Sequence, residues 1–379
     1  MRVLEVTYTW PAETFIIRHA RALAGRVTLT MAAKSPIRPH SATIQSVRDF
    51  PAPVVSLPNI DHMNRLEKAT AAVRLRLNGV PGSDLRLRDR MVVRALQELR
   101  PDVVHFHFGT LARLLARCAD ALDIPYTISL RGSDIQVWPL LNQDDMQRFR
   151  YVLEHAAGIH VVCDTFGTAA RQIANSIPTP RTIRTTVPLP DYIPPPAPAK
   201  SDAPPHFISV GRLHWRKAFH DLIRAMAFLP DATLEIVGDG PEEEHLTFLI
   251  HQLGLQDRVM LAGRLPYEQF ATHFAAATAY VQSSIAEGFS NAVAEAMAFG
   301  KPVFVTPAGG TEEVIHDGEN GIVMPMGDPP GMAEQLRQAS DPALMHRLGI
   351  AARKTAETHF DAADHAEQFV HFYSEAVRR

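Results

Sequence analysis

The stretch His206-Phe-Ile-Ser-Val210, continued by Gly211-Arg-Leu-His-Trp-Arg-Lys217, decides how this chain reads. A short run of apolar and β-branched residues stops at a glycine, passes through a basic loop, and opens a helical pattern over 218–228. Strand, short loop and helix in that order form the repeating unit of a parallel sheet with helical crossovers. The loop then lies at the carboxyl end of its strand, where such sheets take their ligands. Arg212 offers a planar fork for phosphate oxygens and Lys217 a point charge, so the loop suits a diphosphate. A solvated basic loop is the plainer alternative.

Working outward from this stretch, the preceding segment 187–205 holds eight prolines in nineteen residues, a semi-rigid extended composition. It reads as a linker over 189–205, with a first domain over 1–188 and a second over 206–360. The first domain shows the same alternation, with strands at 3–7, 27–31 and 103–106 and helices at 15–24 and 111–122. A tail over 361–379 has helical spacing in Ala366, Phe369, Val370 and Tyr373 and is expected to cross back onto the first domain. The expected architecture is α/β: two doubly wound, Rossmann-like domains facing each other across a cleft.

With 379 residues, the chain is long enough for two ordinary cores. Hydrophobic residues make up 46%, charged residues 21%, and the net charge is -3, which argues against a nucleic-acid binder. The two cysteines, Cys118 and Cys163, lack metal or redox spacing, so no zinc site or disulfide framework is expected. The first residues read as a buried strand rather than a signal peptide, and no stretch approaches the roughly 20 apolar residues of a membrane span. A cytoplasmic location is expected. Between Arg65 and Arg117 there are eleven Lys or Arg against five Asp or Glu. Such a face suits an anionic membrane surface or a lipid diphosphate, and solvated helices are the alternative.

A second chemical segment runs Glu287-Gly-Phe-Ser-Asn-Ala-Val-Ala-Glu295. Ser290 or Asn291 is a natural N-cap, and the free N–H groups of Gly288, Phe289, Ser290 and Asn291 at a helix start would bind an anion. Glu295, flanked by alanines and Met297, needs a partner, for which a ribose diol is one candidate. Complementing the helix dipole or facing water are the alternatives for the two glutamates. Gly309-Gly310 follows a strand and permits close approach to phosphate or sugar, or forms an ordinary turn. Gly238-Asp-Gly240 lacks the third glycine of a dinucleotide fingerprint.

The ordered set Val210-Gly-Arg-Leu with Lys217, Val237-Gly-Asp-Gly-Pro241, Glu287 with Glu295, Glu295-Ala-Met-Ala-Phe-Gly-Lys-Pro-Val303, Gly309-Gly-Thr-Glu-Glu-Val314 and Asp317-Gly-Glu-Asn-Gly321 resembles glycosyltransferase family 4, whose fold is GT-B. Glu13-Thr-Phe-Ile16 and His105-Phe-His-Phe-Gly-Thr110 resemble its exopolysaccharide-assembly branch. The resemblance implies a retaining, metal-independent transfer of a hexose-type sugar from a nucleoside-diphosphate sugar, a UDP-sugar first, to a polysaccharide, lipid-linked or small-molecule acceptor. It implies that Arg212 and Lys217 hold the diphosphate, Glu295 the ribose, Arg264 the base, and that Glu287 meets the donor sugar. No cofactor is implied, and no Asp-x-Asp triplet occurs for a metal.

In the first domain, alternation puts His105 and His107 on one face, where His107 reads as an acceptor or sugar contact, a structural histidine being the alternative. A metal pair lacks an obvious third ligand. Ile128-Ser-Leu-Arg131-Gly132 departs from the family, which commonly has histidine before this glycine. Arg131 stays charged and cannot act as a base, but it can bind phosphate, or pair with Asp134 to shape the loop. A nucleotide-sugar epimerase of the same architecture and a non-catalytic scaffold are the competing readings.

Overall fold

The computed structural model describes residues 1–10, 12–35, 50–58, 63–81, 85–190, 203–265 and 267–379. Linker residues 191–202 lie outside the described residues. The chain forms two compact units, Met1–Thr186 together with Ala362–Arg379, and Val187–Asp361. Val187 and Pro190, at the start of the proline-rich segment, are held inside the second unit. The Val187 N–H donates to the Phe360 carbonyl at 3.3 Å, and the Pro190 carbonyl accepts from Arg353 at 2.8 Å.

The first unit runs β1 (Arg2–Thr7), α1 (Thr14–Leu23), β2 (Thr28–Ala33), β3 (Val54–Ser56), α2 (Arg65–Leu77), α3 (Leu87–Leu99), β4 (Val103–Phe106), α4 (Gly109–Asp120), β5 (Tyr126–Leu130), α5 (Ser133–Gln136), α6 (Gln143–His155), β6 (Gly158–Val161), α7 (Asp164–Ile173) and β7 (Arg181–Thr182). Its seven strands are ordered β3-β2-β1-β4-β5-β6-β7, with parallel pairings throughout. Strand order reverses between β1 and β4. On one face Leu4, Val6, Val104, Phe106, Ile128 and Leu130 pack on apolar residues of α3, α4, α6 and α7. The start of α4 is pressed so close to Phe149 that a Cβ on Gly109 would lie 2.5 Å from its ring.

The opposite face is roofed by α1 and by α14 (Ala362–Arg378), the helix that follows the second unit. Ile16, Ala20 and Leu23 of α1 and Ala366, Phe369, Phe372 and Tyr373 of α14 share that core. The seating is tight: a Cβ on Gly158 of β6 would lie 2.7 Å from the Phe372 ring.

The second unit runs β8 (His206–Val210), α8 (Phe219–Met226), β9 (Thr233–Val237), α9 (Glu243–Gln252), β10 (Val259–Gly263), α10 (Tyr267–Ala276), β11 (Ala279–Gln282), α11 (Asn291–Ala298), β12 (Val303–Val305), β13 (Ile322–Val323), α12 (Pro329–Leu336) and α13 (Pro342–His359). The order is β10-β9-β8-β11-β12-β13, again parallel, and it reverses between β8 and β11. The helix expected over 218–228 is shorter. A 3-10 turn over Trp215–Lys217 comes first, and Ala218 closes it with a left-handed φ of 46° before α8 begins. Among the described residues no helix is long and apolar enough to cross a membrane.

Candidate functional site

At the strand-order reversal of the second unit, the loops after β8 and β11 are fastened together. Ser283 Oγ donates to the Lys217 carbonyl at 2.9 Å, and the Ile285 N–H donates to the Arg216 carbonyl at 2.8 Å. The Lys217 ammonium then meets Glu287 Oε1 at 2.6 Å, and Ser284 Oγ donates to the same oxygen at 3.0 Å. Both members of the pair keep some exposure, 20% and 16%, so the charges are neither buried nor lost in solvent. Arg212 stands exposed on the same loop and forms no side-chain ion pair or hydrogen bond among the described residues. Burial and the Arg216 and Arg212 guanidinium groups hold His214 below its ordinary pKa, a sign of the loop's positive field.

Backbone packing explains the glycines around this pair. A Cβ on Gly238 would fall 1.9 Å from the Gly211 carbonyl oxygen, and one on Gly240 would fall 2.3 Å from that of Leu213. The Gly238-Asp-Gly240 turn therefore backs the cationic loop. Gly309 has φ +60°, and a Cβ there would sit 1.8 Å from the Glu287 carbonyl oxygen, while the Gly310 N–H donates to the Gly288 carbonyl at 2.6 Å. The approach that excludes a side chain at Gly309 is thus to the Glu287 backbone.

Two expectations about α11 change. Ser290 occupies the N-cap position, but its hydroxyl makes no cap and bonds instead to the buried Tyr280 hydroxyl. Phe289 turns its ring onto Phe360, 5.2 Å between centroids. Buried packing claims both side chains, so what this segment presents is backbone, including helix-start N–H groups with no side-chain cap. Glu295 is 8% exposed, which removes the reading of a solvated surface charge. Burial, with the Glu287 and Glu295 carboxylates nearby, raises the Tyr280 hydroxyl. Arg264 is exposed just past β10, two strands from the reversal.

The first unit places a different polar group at its own reversal. Glu5 of β1 receives hydrogen bonds from His19 Nε2 at 2.8 Å, His107 Nε2 at 2.9 Å and the Tyr373 hydroxyl at 3.0 Å. His19 Nδ1 meets His365 Nε2 at 2.9 Å, and His365 Nδ1 donates to the Arg184 carbonyl at 2.8 Å. His105 bridges Thr127 and Ser129 at 2.8 and 2.9 Å, and Ser129 reaches His160 Nδ1 at 2.7 Å. This layer lies under α1 and α14 and is buried throughout. Burial drives His105 and His160 well below their ordinary values, His107 to about 4 and His365 to about 3. Burial would raise Glu5, but His19 and His107 outweigh it and hold the carboxyl well below its usual range.

The His107 ring is buried and its Nε2 bonds to Glu5, while its Nδ1 has no hydrogen-bond partner among the described residues. The group of potential ligand atoms within 4.8 Å of one another is Glu5, His19 and His107, not the His105–His107 pair considered from sequence. His105 is not part of that group, because it serves Thr127 and Ser129. The alternative reading of Arg131 paired with Asp134 is met through the Arg131 backbone. Asp134 accepts the N–H groups of Gly132 at 2.8 Å, Arg131 at 3.0 Å and Gly109 at 3.1 Å, joining the loops after β4 and β5. The Arg131 guanidinium lies over the Phe15 ring at 4.8 Å, and burial pulls its pKa down to about 10, which still leaves it charged at neutral pH.

Two doubly wound Rossmann-like units with a charged loop pair at the strand-order reversal define the GT-B fold class. The solved structure of Anabaena HepE in complex with UDP aligns over 99% of this chain and 100% of that one, with a TM-score of 0.77 at 19% identity. In sequence, residues 195–355 match the family model for glycosyl transferases group 1. The lipopolysaccharide core biosynthesis glycosyltransferase LpsE of Rhizobium meliloti is 37% identical over 161 residues, 41% of this chain and 47% of LpsE. The 2-deoxystreptamine N-acetyl-D-glucosaminyltransferase of Streptomyces fradiae is 26% identical over 74% of this chain and 72% of that enzyme. The chain spans about half the length of the first curated relatives it matches.

Proposed function

We propose that this protein is a retaining, metal-independent glycosyltransferase that moves a hexose-type sugar from a UDP-sugar to a polysaccharide, lipid-linked or small-molecule acceptor. The observation that carries the reading is the Lys217–Glu287 pair, 2.6 Å apart at the reversal between β8 and β11, with the exposed Arg212 beside it. Cleaving the donor breaks the bond from the anomeric carbon to the diphosphate, which leaves positive charge on the sugar and negative charge on the phosphate. Arg212, Lys217 and the uncapped start of α11, at Gly288, Phe289, Ser290 and Asn291, stabilise the departing diphosphate. Glu287, held by Lys217 and Ser284, faces the developing cation of the sugar. The acceptor oxygen bonds to the anomeric carbon on the face from which the diphosphate leaves, and the departing phosphate takes the acceptor proton, so no protein base is required and Arg131 serves as a cation.

Glu295 holds the ribose hydroxyls and Arg264 lies along the base. The similar proteins with transferase names and the UDP found with HepE support the choice of a UDP-sugar donor, not these residue roles. Calorimetric titration with UDP, GDP, ADP and dTDP tests it, with UDP expected to bind and Glu295→Ala or Arg212→Ala expected to weaken it at least tenfold. Unchanged affinity in both variants removes the site. Product analysis with an added acceptor then separates transfer from epimerisation.

A further inference from the structure

The crossover from β3 to β4 carries a helix whose outer face is the reverse of what water favours. Leu66, Val73 and Leu77 of α2 are 76%, 56% and 81% exposed. At 3.6 residues per turn the three fall within about 40° of arc, one stripe along the helix. Leu75, about half a turn away, is 6% exposed and anchors the opposite face to the first unit. Ala71 and Ala72 are half-buried on that inner side. The stripe is therefore a second apolar face, beyond the one the fold uses.

Its flanks are cationic. Arg74 stands about 80° to one side and Arg65 and Arg76 about 80–100° to the other, all three exposed and without an ion pair among the described residues. Glu67 is the helix's one carboxylate, and it is engaged in the capping box with Asn64. An apolar stripe edged on both sides by arginines is the pattern of a helix that lies in a lipid interface, its apolar face down and its cations level with the headgroups. A protein partner of ordinary interface chemistry would not need cations on both margins. The chain as a whole carries net charge -3, so the basic margin is local to this face.

We infer that α2 docks this protein on an anionic bilayer surface, with Leu66, Val73 and Leu77 entering the interface and Arg65, Arg74 and Arg76 contacting lipid phosphates. The inference is independent of sugar transfer, because its readout needs no donor or acceptor. The test is co-sedimentation of the full chain with vesicles of phosphatidylglycerol and phosphatidylcholine in equal parts, or of phosphatidylcholine alone. Binding is expected to the anionic vesicles, weakened at least tenfold by raising salt from 0.1 M to 0.5 M, and absent on phosphatidylcholine. The triple change Leu66→Ser, Val73→Ser, Leu77→Ser is expected to lower binding at least tenfold with the melting temperature preserved, since the stripe supports no core. Arg65→Gln, Arg74→Gln and Arg76→Gln together should abolish the salt dependence. No binding to anionic vesicles, or binding that survives the serine changes, overturns the proposal. So does a concentration-dependent dimer that the serine changes dissolve, which would assign the stripe to a second copy.

Discussion

The two units answer the same topological situation in opposite ways. Each has a parallel sheet whose strand order reverses once, between β1 and β4 in the first and between β8 and β11 in the second. In the second unit the reversal is occupied by loop residues, and Lys217 and Glu287 keep partial exposure beyond the strand ends. In the first, the polar groups lie between the sheet and its roof, where Glu5 and His107 meet His19 of α1, all three buried. Charges in the loops remain available to a ligand. Charges under a roof are committed to one another, and their removal should be felt by the fold rather than by a substrate.

Four experiments sharpen or break that contrast, and the largest effect belongs to Glu5. Glu5→Ala leaves two imidazoles and a tyrosine without their shared acceptor, and removing one partner of a buried pair costs about 3–5 kcal/mol. Denaturant unfolding of the variant should show that loss, with UDP affinity in the second unit unchanged. A normal stability would mean that the layer is not held by its carboxylate. Lys217→Met should do the reverse: turnover falls by roughly 10²–10³, as when one preorganised donor to a developing anion is removed, and the melting temperature stays within a few degrees. Turnover equal to the parent would place diphosphate stabilisation elsewhere.

Acidification is the third. His107, at about 4 in the folded protein, lies below its unfolded value. The unfolded chain therefore binds more protons between pH 6.5 and 4, and stability falls as pH drops through that window, by on the order of 2 kcal/mol. Glu5, depressed in the fold, adds to the loss below its ordinary value. A melting temperature that stays flat from pH 7 to pH 4.5 would contradict neutral buried imidazoles. The smallest effect is expected for Tyr373→Phe, which deletes one hydrogen bond to Glu5 and should cost about 1–2 kcal/mol by the same unfolding measurement.

How much of this was legible in the sequence follows the same division. Arg212 and Lys217 sit in one short loop and Glu287 and Glu295 in one short segment, so each pair was legible by spacing, whereas the meeting of the two segments follows from the adjacency of β8 and β11 in the sheet. Ser284, which steadies Glu287, lies three residues before it and carries no pattern to mark it. The buried layer was legible only as a pair of histidines. Its other members come from β1, α1 and α14, and the Glu5–Tyr373 contact spans 368 residues. Glu5 also sits in an apolar strand where periodicity assigns a hydrophobic partner, and only the packed sheet shows what it meets. Ser290 stands at the N-cap as its place in the sequence suggests, but its hydroxyl makes no capping hydrogen bond, which spacing alone does not reveal.

The placement of α14 has a consequence for the order of assembly. The polar face of the first sheet is completed by a helix made only after the whole second unit has been synthesised, so the nascent first unit emerges without the Phe369 and Tyr373 rings over His105 and without the Tyr373 hydroxyl on Glu5. Domains usually complete themselves in the order in which they leave the ribosome. Here the second unit, continuous in sequence, has all its strands in hand before the first can finish. The last step of folding is then a long-range docking event that shuts the imidazole layer away from water, and a chain interrupted before α14 would hold a finished second unit beside an open first one.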